Sequence, residues 1–393
     1  MKLAHLADPH LGIRQYHRQT SAGVNQRESD VAQAFRAAID DVIACAPDAI
    51  VIAGDLFHSV RPTNAAIVFA FRQLQRLREA LAEAPVVLIA GNHDTPRSSE
   101  TGSILRLFEE IGIHVADAEA RRLRFPELDL SILAVPHQAL VVEEQPALHP
   151  EGSERYQVLV LHGELEGAFS PYSAGWEYGG AIVPASAIRF KEWSYVAWGH
   201  FHIRKQVADR AWYAGAPEYT SANIWGEPRE ERELGVQGKG WLLVDLDTGI
   251  PEARPIPTAR RVLDLGPIHG EGLDRDEVNA ELAGLVGQVS GGIAGQIVRV
   301  VAYDVPRVVA RELNHAQVRE WKADALHFQL DVRPPERERS LAHGASGNRK
   351  SLAEILEAYL RQRLLPSEVD RSAFVSAGID LLNEANSAKA RGA

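Results

Sequence analysis

Five short motifs place aspartate, asparagine and histidine side chains at the ends of apolar segments of this chain. The motifs are Asp8-Pro9-His10, Gly54-Asp55, Gly91-Asn92-His93-Asp94, His162-Gly163 and Gly199-His200-Phe201-His202. Carboxylate and amide oxygens combined with imidazole nitrogens suit manganese, iron or zinc, whereas magnesium and calcium sites are built almost entirely from oxygen ligands. The predicted ligands of two adjacent divalent metal sites are Asp8, His10, Asp55, Asn92, His162, His200 and His202.

The spacing of these residues predicts phosphoester hydrolysis. Asp8 and His10 are two residues apart, so both can bind one ion from the end of a single strand. A carboxylate such as Asp55 can bridge two ions about 3.5 to 4 Å apart, and water held by such ions is deprotonated at a pH of about 7. His93 lies beside a ligand but on the other side of the backbone, so it is the candidate general acid for the leaving oxygen.

Strands that alternate with helices predict an α/β fold for the part of the chain that carries the first three motifs. Apolar runs and helical patterns alternate at residues 2–7, 27–46, 49–53, 63–82, 85–90 and 103–111. The runs at 49–53 and 85–90 are too apolar for half-exposed strands, which indicates interior strands covered on both faces. Because ligands of open α/β sheets gather beyond the carboxyl ends of such strands, the motifs should meet there.

A second group of strand candidates follows residue 111 and carries the other two motifs. These segments lie at 121–125, 130–135, 157–161, 195–198, 211–214 and 241–246. Helical patterns are sparse in this part, which predicts a second, more antiparallel sheet. Two facing sheets with helices outside would form a two-sheet β-sandwich flanked by helices, within the α/β (α+β) class.

Proline and glycine clusters divide the rest of the chain. Pro251, Pro255 and Pro257 interrupt any regular element. The predicted divisions are a phosphoesterase domain at 1–257, a small α+β domain at 258–335, a linker at 336–350 and a pair of amphipathic helices at 351–387. The spacing alone favours helices that pack back on the body over helices that dock on a partner.

The composition of the 393 residues indicates a globular enzyme, with 45% hydrophobic and 24% charged residues. No apolar stretch is long enough to cross a bilayer, and the strand-like sequence from Lys2 leaves no room for a signal peptide. A cytoplasmic location without membrane contact is therefore expected. The net charge of -11 argues against a uniformly basic nucleic-acid-binding surface but does not exclude DNA, since metal ions would neutralise Asp8 and Asp55.

The order of the five motifs resembles that of the calcineurin-like metallophosphoesterase superfamily. More narrowly, the chain is similar to SbcD-type DNA double-strand-break repair nucleases in segment 54–62, in the loop 12–28 and in the order of its domains. The resemblance implies one Mn ion bound by Asp8, His10, Asp55 and His202 and a second bound by Asp55, Asn92, His162 and His200. It also implies that His93 assists catalysis and that His58 touches the DNA strand or the transition state.

The same resemblance implies a homodimer with Mn-dependent double-strand exonuclease and single-strand endonuclease activity. In such nucleases the small domain shapes the DNA cleft, and the C-terminal helices bind the coiled coil of an SbcC-type ABC ATPase, which reverses the preference given by helix spacing alone. Basic residues of the matching loops are candidate DNA contacts, namely Arg14, His17, Arg18, Arg27, Arg61 and Arg97.

Two other functions fit parts of the sequence. A small-molecule metallophosphodiesterase or phosphatase would use the same metal pair in a closed pocket, but it does not require a linker and two trailing helices. A scaffold subunit with a vestigial site would lack some ligands, whereas none is missing here. A DNA nuclease is therefore the first choice.

Overall fold

The computed structural model contains two compact units, residues 1–335 and residues 336–393. Within them it describes residues 1–96, 102–170, 173, 179–335, 356–357, 359–361 and 370–391. All five motifs lie in the described part of the first unit.

A mixed six-stranded sheet carries the first three motifs. It contains β1 (Lys2–Leu6), β2 (Ala49–Ile52), β3 (Val86–Ile89), β4 (His114–Ala116), β13 (Gly240–Asp245) and β14 (Ile250–Pro255). The spatial order is β14-β13-β1-β2-β3-β4, with β1 to β4 parallel and β13 and β14 antiparallel to their neighbours. β2 and β3 are buried at every residue, as their continuous apolar sequences predict.

Two long helices cover the outer face of this sheet. α1 (Gln26–Cys45) begins after Asn25 and α2 (Asn64–Ala80) begins after Thr63, and each capping side chain accepts backbone N–H groups of the first turn. A 3₁₀ helix at Ile104–Ile111 follows β3. The apolar faces of these helices are buried against the sheet.

The second sheet carries the last two motifs, and its central strands are parallel. It contains β5 (Arg121–Phe125), β6 (Leu130–Val135), β7 (Tyr156–His162), β10 (Tyr195–Gly199), β11 (Lys205–Ala208) and β12 (Ala211–Tyr213), in the order β11-β12-β10-β7-β6-β5. Only β5 and β11 are antiparallel to their neighbours. The prediction of a more antiparallel sheet is wrong, because β6 and β7 are buried on both faces, as strands of parallel sheets are.

The two sheets face each other across a common apolar layer. Val51 and Val87 of the first sheet and Val158 and Ala197 of the second are fully buried in it. The sandwich with helices outside confirms the predicted α/β architecture. The shorter elements of this part are β8 (Glu164–Leu165), β9 (Ile182–Val183), α3 (His137–Leu140) and α4 (Glu227–Glu233).

Pro251 and Pro255 lie within β14, so the prediction that they interrupt regular structure is wrong. This strand is at the edge of the first sheet and pairs with β13 alone. Proline lacks the N–H group of a ladder but is tolerated on an edge strand, where one side of the strand needs no partner.

Residues 262–332 of the first unit form a small α/β fold with a sheet of its own. It contains a parallel sheet of β15 (Val262–His269), β16 (Ile297–Tyr303) and β17 (His327–Val332), with helices α5 (Arg275–Gly287), α6 (Arg307–Arg311) and α7 (His315–Asp324). β15 was not predicted. The single helix predicted at 308–322 is two helices, because the Asn314 side chain caps the start of α7. Tyr16 of the body stacks on His327, with ring centroids 4.0 Å apart.

The second unit contains the helix α8 (Arg371–Arg391). Residues 356–357 and 359–361 are also helical, and the Arg371 guanidinium donates a hydrogen bond to the carbonyl of Arg361 (2.6 Å). The predicted linker at 336–350 and most of the first predicted helix of the pair lie outside the described residues.

Among the described residues, no helix combines the length and the apolar character needed to span a membrane.

Candidate metal centre

The structure brings all seven predicted ligands together at one edge of the sandwich. Each lies at or just after the carboxyl end of a parallel strand, namely β1, β2, β3, β7 or β10. Two groups of predicted ligands each place one donor atom per residue within 4.8 Å of the others, Asp8 with His10 and His202, and Asp55 with His162 and His200; His10, His58 and His93 form a third such group. Asn92 joins the second group, since its Oδ1 lies 2.9 Å from His162 Nε2 and 3.1 Å from His200 Nδ1. These two clusters could each hold a metal ion.

The backbone is strained at four of these residues. The φ angle is 54° at Asp8, 48° at His10, 50° at Asp55 and 103° at His200. Such positive values are uncommon for residues that have a Cβ, and they cost about 1–3 kcal/mol each. Hydrogen bonds hold the strained loops together, since Asp8 N donates to the carbonyl of Gly54 (3.1 Å) and His10 N to that of Asp55 (2.9 Å). Strain of this kind clusters at functional sites.

Gly91 and Gly199 are required because other groups approach them closely. A Cβ at Gly91 would overlap the carboxylate of Asp55, and a Cβ at Gly199 would overlap the carbonyl oxygen of Ala53. In both motifs the glycine directly precedes a candidate ligand. Its small size lets the loops of neighbouring strands meet.

Hydrogen bonds fix the orientation of the His162 ring. Its Nδ1 donates to the carbonyl of Ala53 (2.8 Å), so Nε2 faces Asn92 Oδ1 at 2.9 Å and Asp55 Oδ2 at 3.4 Å. Burial alone would lower the pKa of His162, but the carboxylates of Asp55 and Asp8 raise this pKa to about 9. The carboxylates thus favour positive charge at this position, which a divalent ion can supply in place of a proton.

The other group is equally buried. The Nε2 atoms of His10 and His202 lie 3.0 Å apart, and His10 Nε2 lies 3.6 Å from Asp55 Oδ2. Burial lowers the pKa of His10 well below its ordinary value, although the Asp55 carboxylate opposes this shift. A neutral imidazole keeps the lone pair that a metal ion needs.

The donor set fits a pair of divalent ions. Asp55 Oδ2 is buried and accepts no hydrogen bond from the described residues, although buried carboxylate oxygens are normally satisfied. The same atom faces His10 in one group and His162 in the other. Asp55 therefore occupies the position that a bridging ligand requires, among nitrogen and oxygen donors that suit borderline metals.

His93 and His58 lie beside His10. The ring centroids of His93 and His58 are 4.8 Å and 5.4 Å from that of His10. His93 Nδ1 donates to the backbone carbonyl of His58 (2.8 Å), and the His93 backbone N–H donates to Asp55 Oδ1 (2.8 Å). These two bonds orient the ring, and they leave Nε2 as the basic atom of a neutral His93.

Asp94 is a structural part of the site that sequence reasoning missed. Its buried carboxylate accepts the backbone N–H groups of Leu56 (3.0 Å), Phe57 (3.0 Å) and Gly91 (3.2 Å). It therefore joins the loops that follow β2 and β3. Burial, reinforced by the charge of Asp55, raises the pKa of Asp94 to about 7. The only sequence signal was its place in the Gly-Asn-His-Asp motif.

Two other residues near the ligands also carried no clear signal. His137 is buried just after β6, and its backbone N–H donates to the carbonyl of Ala90 (2.9 Å). Burial and the neighbouring His162 lower the pKa of His137 to about 4. Thr220 Oγ1 lies 3.2 Å from Nδ1 of the predicted ligand His202.

Two of the predicted DNA contacts bond to other parts of the protein. Arg14 donates to the Glu28 carboxylate at 2.8 Å while remaining largely exposed. Arg18 donates to the backbone carbonyls of Ala323 and Ala325, the second at 3.1 Å. Arg18 thus connects the loop after β1 to the small fold at 262–332.

The remaining basic residues differ in exposure. His17 and Arg61 are exposed, and Arg97 lies outside the described residues. Arg27 is fully buried and pairs with Asp30 (3.3 Å) and Glu218 (3.4 Å). The prediction that Arg27 touches DNA is wrong, because its charge is already neutralised inside the protein.

Comparison with known proteins assigns the part of the chain that carries the site to a family. Residues 1–204 match the calcineurin-like phosphoesterase family, and this span includes every candidate ligand. Over 274 residues the chain is 30% identical to the DNA double-strand break repair protein Mre11 of Sulfurisphaera tokodaii, which covers 65% of this chain and 62% of the relative. The Saccharolobus solfataricus protein of the same name is 27% identical over 287 residues, covering 70% and 68%.

The Mre11 protein of Methanococcus maripaludis is 28% identical over 257 residues, covering 63% of each chain. The match thus spans less than two thirds of the length of the Sulfurisphaera and Methanococcus relatives. The family match takes in 204 of the 393 residues, which is more than half of the chain. The chain therefore belongs to the calcineurin-like phosphoesterase family.

Proposed function

We propose that this protein is a metal-dependent DNA nuclease of double-strand-break repair that hydrolyses phosphodiester bonds. The observation that carries the proposal is the convergence of seven oxygen and nitrogen donors from five strand ends, with Asp55 between the two groups. Two histidines that belong to neither group of predicted ligands, His58 and His93, lie beside this centre. A phosphodiesterase needs both components, a site for metal ions and a nearby group that exchanges protons.

The proposed ligands of one ion are Asp8, His10, Asp55 and His202, and those of the other are Asp55, Asn92, His162 and His200. Manganese is the proposed metal, since it accepts both the carboxylate oxygens and the imidazole nitrogens of this set. When bound, two such ions stabilise charge on the phosphate oxygens and lower the pKa of a water molecule. The protein fixes the donors beforehand through its strained loops and buried hydrogen bonds.

His93 is the proposed general acid. Its backbone is held by Asp55 Oδ1 and its Nδ1 by the carbonyl of His58. A proton on Nε2 can therefore be delivered to a departing oxygen without reorientation of the ring. His58, whose ring stacks on that of His93 with centroids 5.2 Å apart, is proposed to contact the DNA strand or the transition state.

DNA rather than a small diester is the proposed substrate because of features outside the metal centre. The relatives are named as DNA double-strand break repair proteins. The exposed basic residues Arg14, His17 and Arg61 are proposed phosphate contacts, together with Arg18 and Arg97. Mn-dependent double-strand exonuclease and single-strand endonuclease activity is proposed on this basis.

The proposed organisation is a nuclease domain at 1–257, a capping domain at 258–335, a linker at 336–350 and a helix pair at 351–387. The stacking of Tyr16 on His327 and the bonds of Arg18 support a capping domain held against the nuclease domain. The C-terminal helices are proposed to bind an SbcC-type ABC ATPase, and the protein is proposed to form a homodimer in the cytoplasm.

His93→Ala tests the catalytic assignment. The variant should retain two bound Mn ions per chain but lose at least about a hundredfold in DNA hydrolysis, the size typical of general acid catalysis. His149→Ala, at a partly exposed position outside the metal centre, is the matched control and should behave as wild type. Metal content is measured after dialysis and hydrolysis on an end-labelled duplex. Loss of metal from His93→Ala would show that His93 is a ligand, and full activity would show that it has no catalytic role.

A further inference from the structure

A buried lysine with two buried glutamates lies behind the predicted ligand His202. Lys239 is 2% exposed, Glu227 0% and Glu231 3%. The Lys239 ammonium donates to Glu227, to Glu231 Oε1 (3.0 Å) and to the backbone carbonyl of His202 (2.9 Å). An ammonium has three N–H donors, so each of them has an acceptor.

The glutamates are held as completely as the lysine. Glu227 Oε1, the oxygen not bonded to Lys239, accepts hydrogen bonds from the hydroxyl and the backbone N–H of Ser221. Glu231 Oε2 accepts a hydrogen bond from the Tyr219 hydroxyl (2.9 Å). The Lys239 ammonium also lies 4.7 Å from the centre of the Tyr219 ring. With every donor and acceptor engaged, the cluster has one geometry.

Thr220 holds the ring of His202 from the same side. Its oxygen lies 3.2 Å from His202 Nδ1 and 3.5 Å from the carbonyl of Glu218, so when Nε2 of His202 is unprotonated to bind a metal ion, the hydroxyl accepts the Nδ1 proton. The Nε2 lone pair of His202 is then directed to the centre, where Nε2 lies 3.0 Å from His10 Nε2. A bond to the far ring nitrogen is the usual way in which proteins orient a metal-binding histidine.

Stability alone is a poor reason for such a cluster. Removing three charges from water is costly, and apolar residues of similar volume often stabilise a protein at least as well as a buried ion pair. What the charges add is a fixed position for the groups they bond. Here those groups include the backbone of one predicted ligand, which is 37 residues from Lys239 in sequence.

We infer that Lys239, Glu227, Glu231 and Thr220 are positioning residues that set the affinity of the metal ion bound by His202. The inference rests on the proposed function only in taking His202 as a metal ligand. It assigns the cluster to one of the two ions, since Thr220 and Lys239 bond to His202 directly. Loss of the cluster should therefore weaken one metal site and not the other.

Thr220→Val tests the inference because valine keeps the shape of threonine and removes the hydroxyl. Mn binding is measured by calorimetry and by metal content after dialysis. Wild type should bind two ions, and Thr220→Val should bind one of them about 10- to 100-fold more weakly, the usual effect of losing a partner of a ligand. Thr220→Ser, which keeps the hydroxyl, should restore the wild-type affinity. Two sites of wild-type affinity in Thr220→Val, or equal weakening of both, would overturn the inference.

A second variant tests the ionic part of the cluster. Lys239→Met alone could unfold the protein by leaving two carboxylates unpaired, so Glu227→Gln and Glu231→Gln are combined with it to remove all three charges. This triple variant should melt near the wild-type temperature and still lose affinity at one site, whereas Lys191→Met, at an exposed lysine, should change neither property. A folded triple variant with two wild-type sites would overturn the inference. Wild-type protein that binds two Mn ions but hydrolyses no DNA would overturn the proposed function alone.

Discussion

Replacing Gly91 with alanine tests how closely the loop after β3 approaches Asp55. The added Cβ would overlap Asp55 Oδ1 and would lie 2.5 Å from the Asp55 backbone nitrogen. The carboxylate can rotate, but the backbone of Asp55 is held by the hydrogen bond from His10 N to its carbonyl (2.9 Å). The variant must therefore displace Asp55, the candidate ligand that borders both groups.

The expected cost follows from this geometry. Forcing an additional methyl group into a packed site costs about 1–3 kcal/mol. The upper part of this range applies, because Asp55 already has a strained φ of 50° and little freedom to adjust. When the carboxylate rotates away, each ion loses one of its four proposed ligands. Both Mn affinities should then fall at least about tenfold, which is about 1.4 kcal/mol for each ion.

Gly284→Ala is the matched control for Gly91→Ala. Gly284 lies within α5, and its added Cβ would meet nothing within 4 Å beyond the backbone of its own helix. Alanine in a helix is more stable than glycine by about 0.5–1 kcal/mol, so the same chemical change should have the opposite sign. Urea denaturation and Mn calorimetry are measured on both variants. A Gly91→Ala variant that unfolds at the wild-type urea concentration and binds Mn with wild-type affinity would show that the loop after β3 does not constrain Asp55.

Acid should destabilise the protein through His5. Burial lowers the pKa of His5 to about 3, although its hydrogen bond to the Trp198 carbonyl opposes this shift. As the pH falls through about 6.5, His5 therefore gains a proton in the unfolded chain but not in the folded chain. The wild-type free energy of unfolding should fall by about 2 kcal/mol between about pH 7.5 and about pH 5. In urea titrations of His5→Gln this fall should be absent. A fall of the same size in the variant would show that another group causes it. Arg27→Met should lower the unfolding free energy by about 3–5 kcal/mol, because it leaves the Glu218 carboxylate buried without its cation. Arg61→Ala, at the surface, should change the free energy of unfolding by less than about 0.5 kcal/mol and weaken DNA binding instead. Melting curves and DNA titrations of Arg27→Met and Arg61→Ala separate the two roles. Equal stability of these two variants would contradict the roles assigned to Arg27 and Arg61.

The candidate metal centre could be predicted from sequence because its ligand-type residues come directly after apolar, strand-like segments. Asp55 and His162 each lie at the carboxyl end of an apolar run, and such ends meet at one edge of a parallel sheet. The structure also pairs Gly199 with His162 in neighbouring strands, which brings the last two motifs side by side. The short-range pattern of an apolar run followed by a candidate ligand was sufficient for this part.

The direction of the strands in the second sheet was harder to predict. The scarcity of helical patterns after residue 111 predicted a more antiparallel sheet, but β6 and β7 are connected by the long segment 136–155 and run parallel. The unbroken burial of both strands was the better signal, since antiparallel strands more often alternate between buried and exposed residues.

The residues that position the ligands could not be predicted. Thr220 and Lys239 are 18 and 37 residues from His202 in sequence and belong to no motif. Their contacts form only when the chain after β12 folds back over the end of β10. A buried lysine also resembles a surface lysine in sequence, because burial depends on the tertiary fold.

DNA hydrolysis is proposed to take place at this metal centre. The most direct measurement is hydrolysis of end-labelled linear duplex DNA with Mn, compared with EDTA and with cyclic and simple nucleotide diesters under the same conditions. The duplex should be degraded with Mn and remain intact with EDTA. Turnover confined to the small diesters would contradict the proposed function.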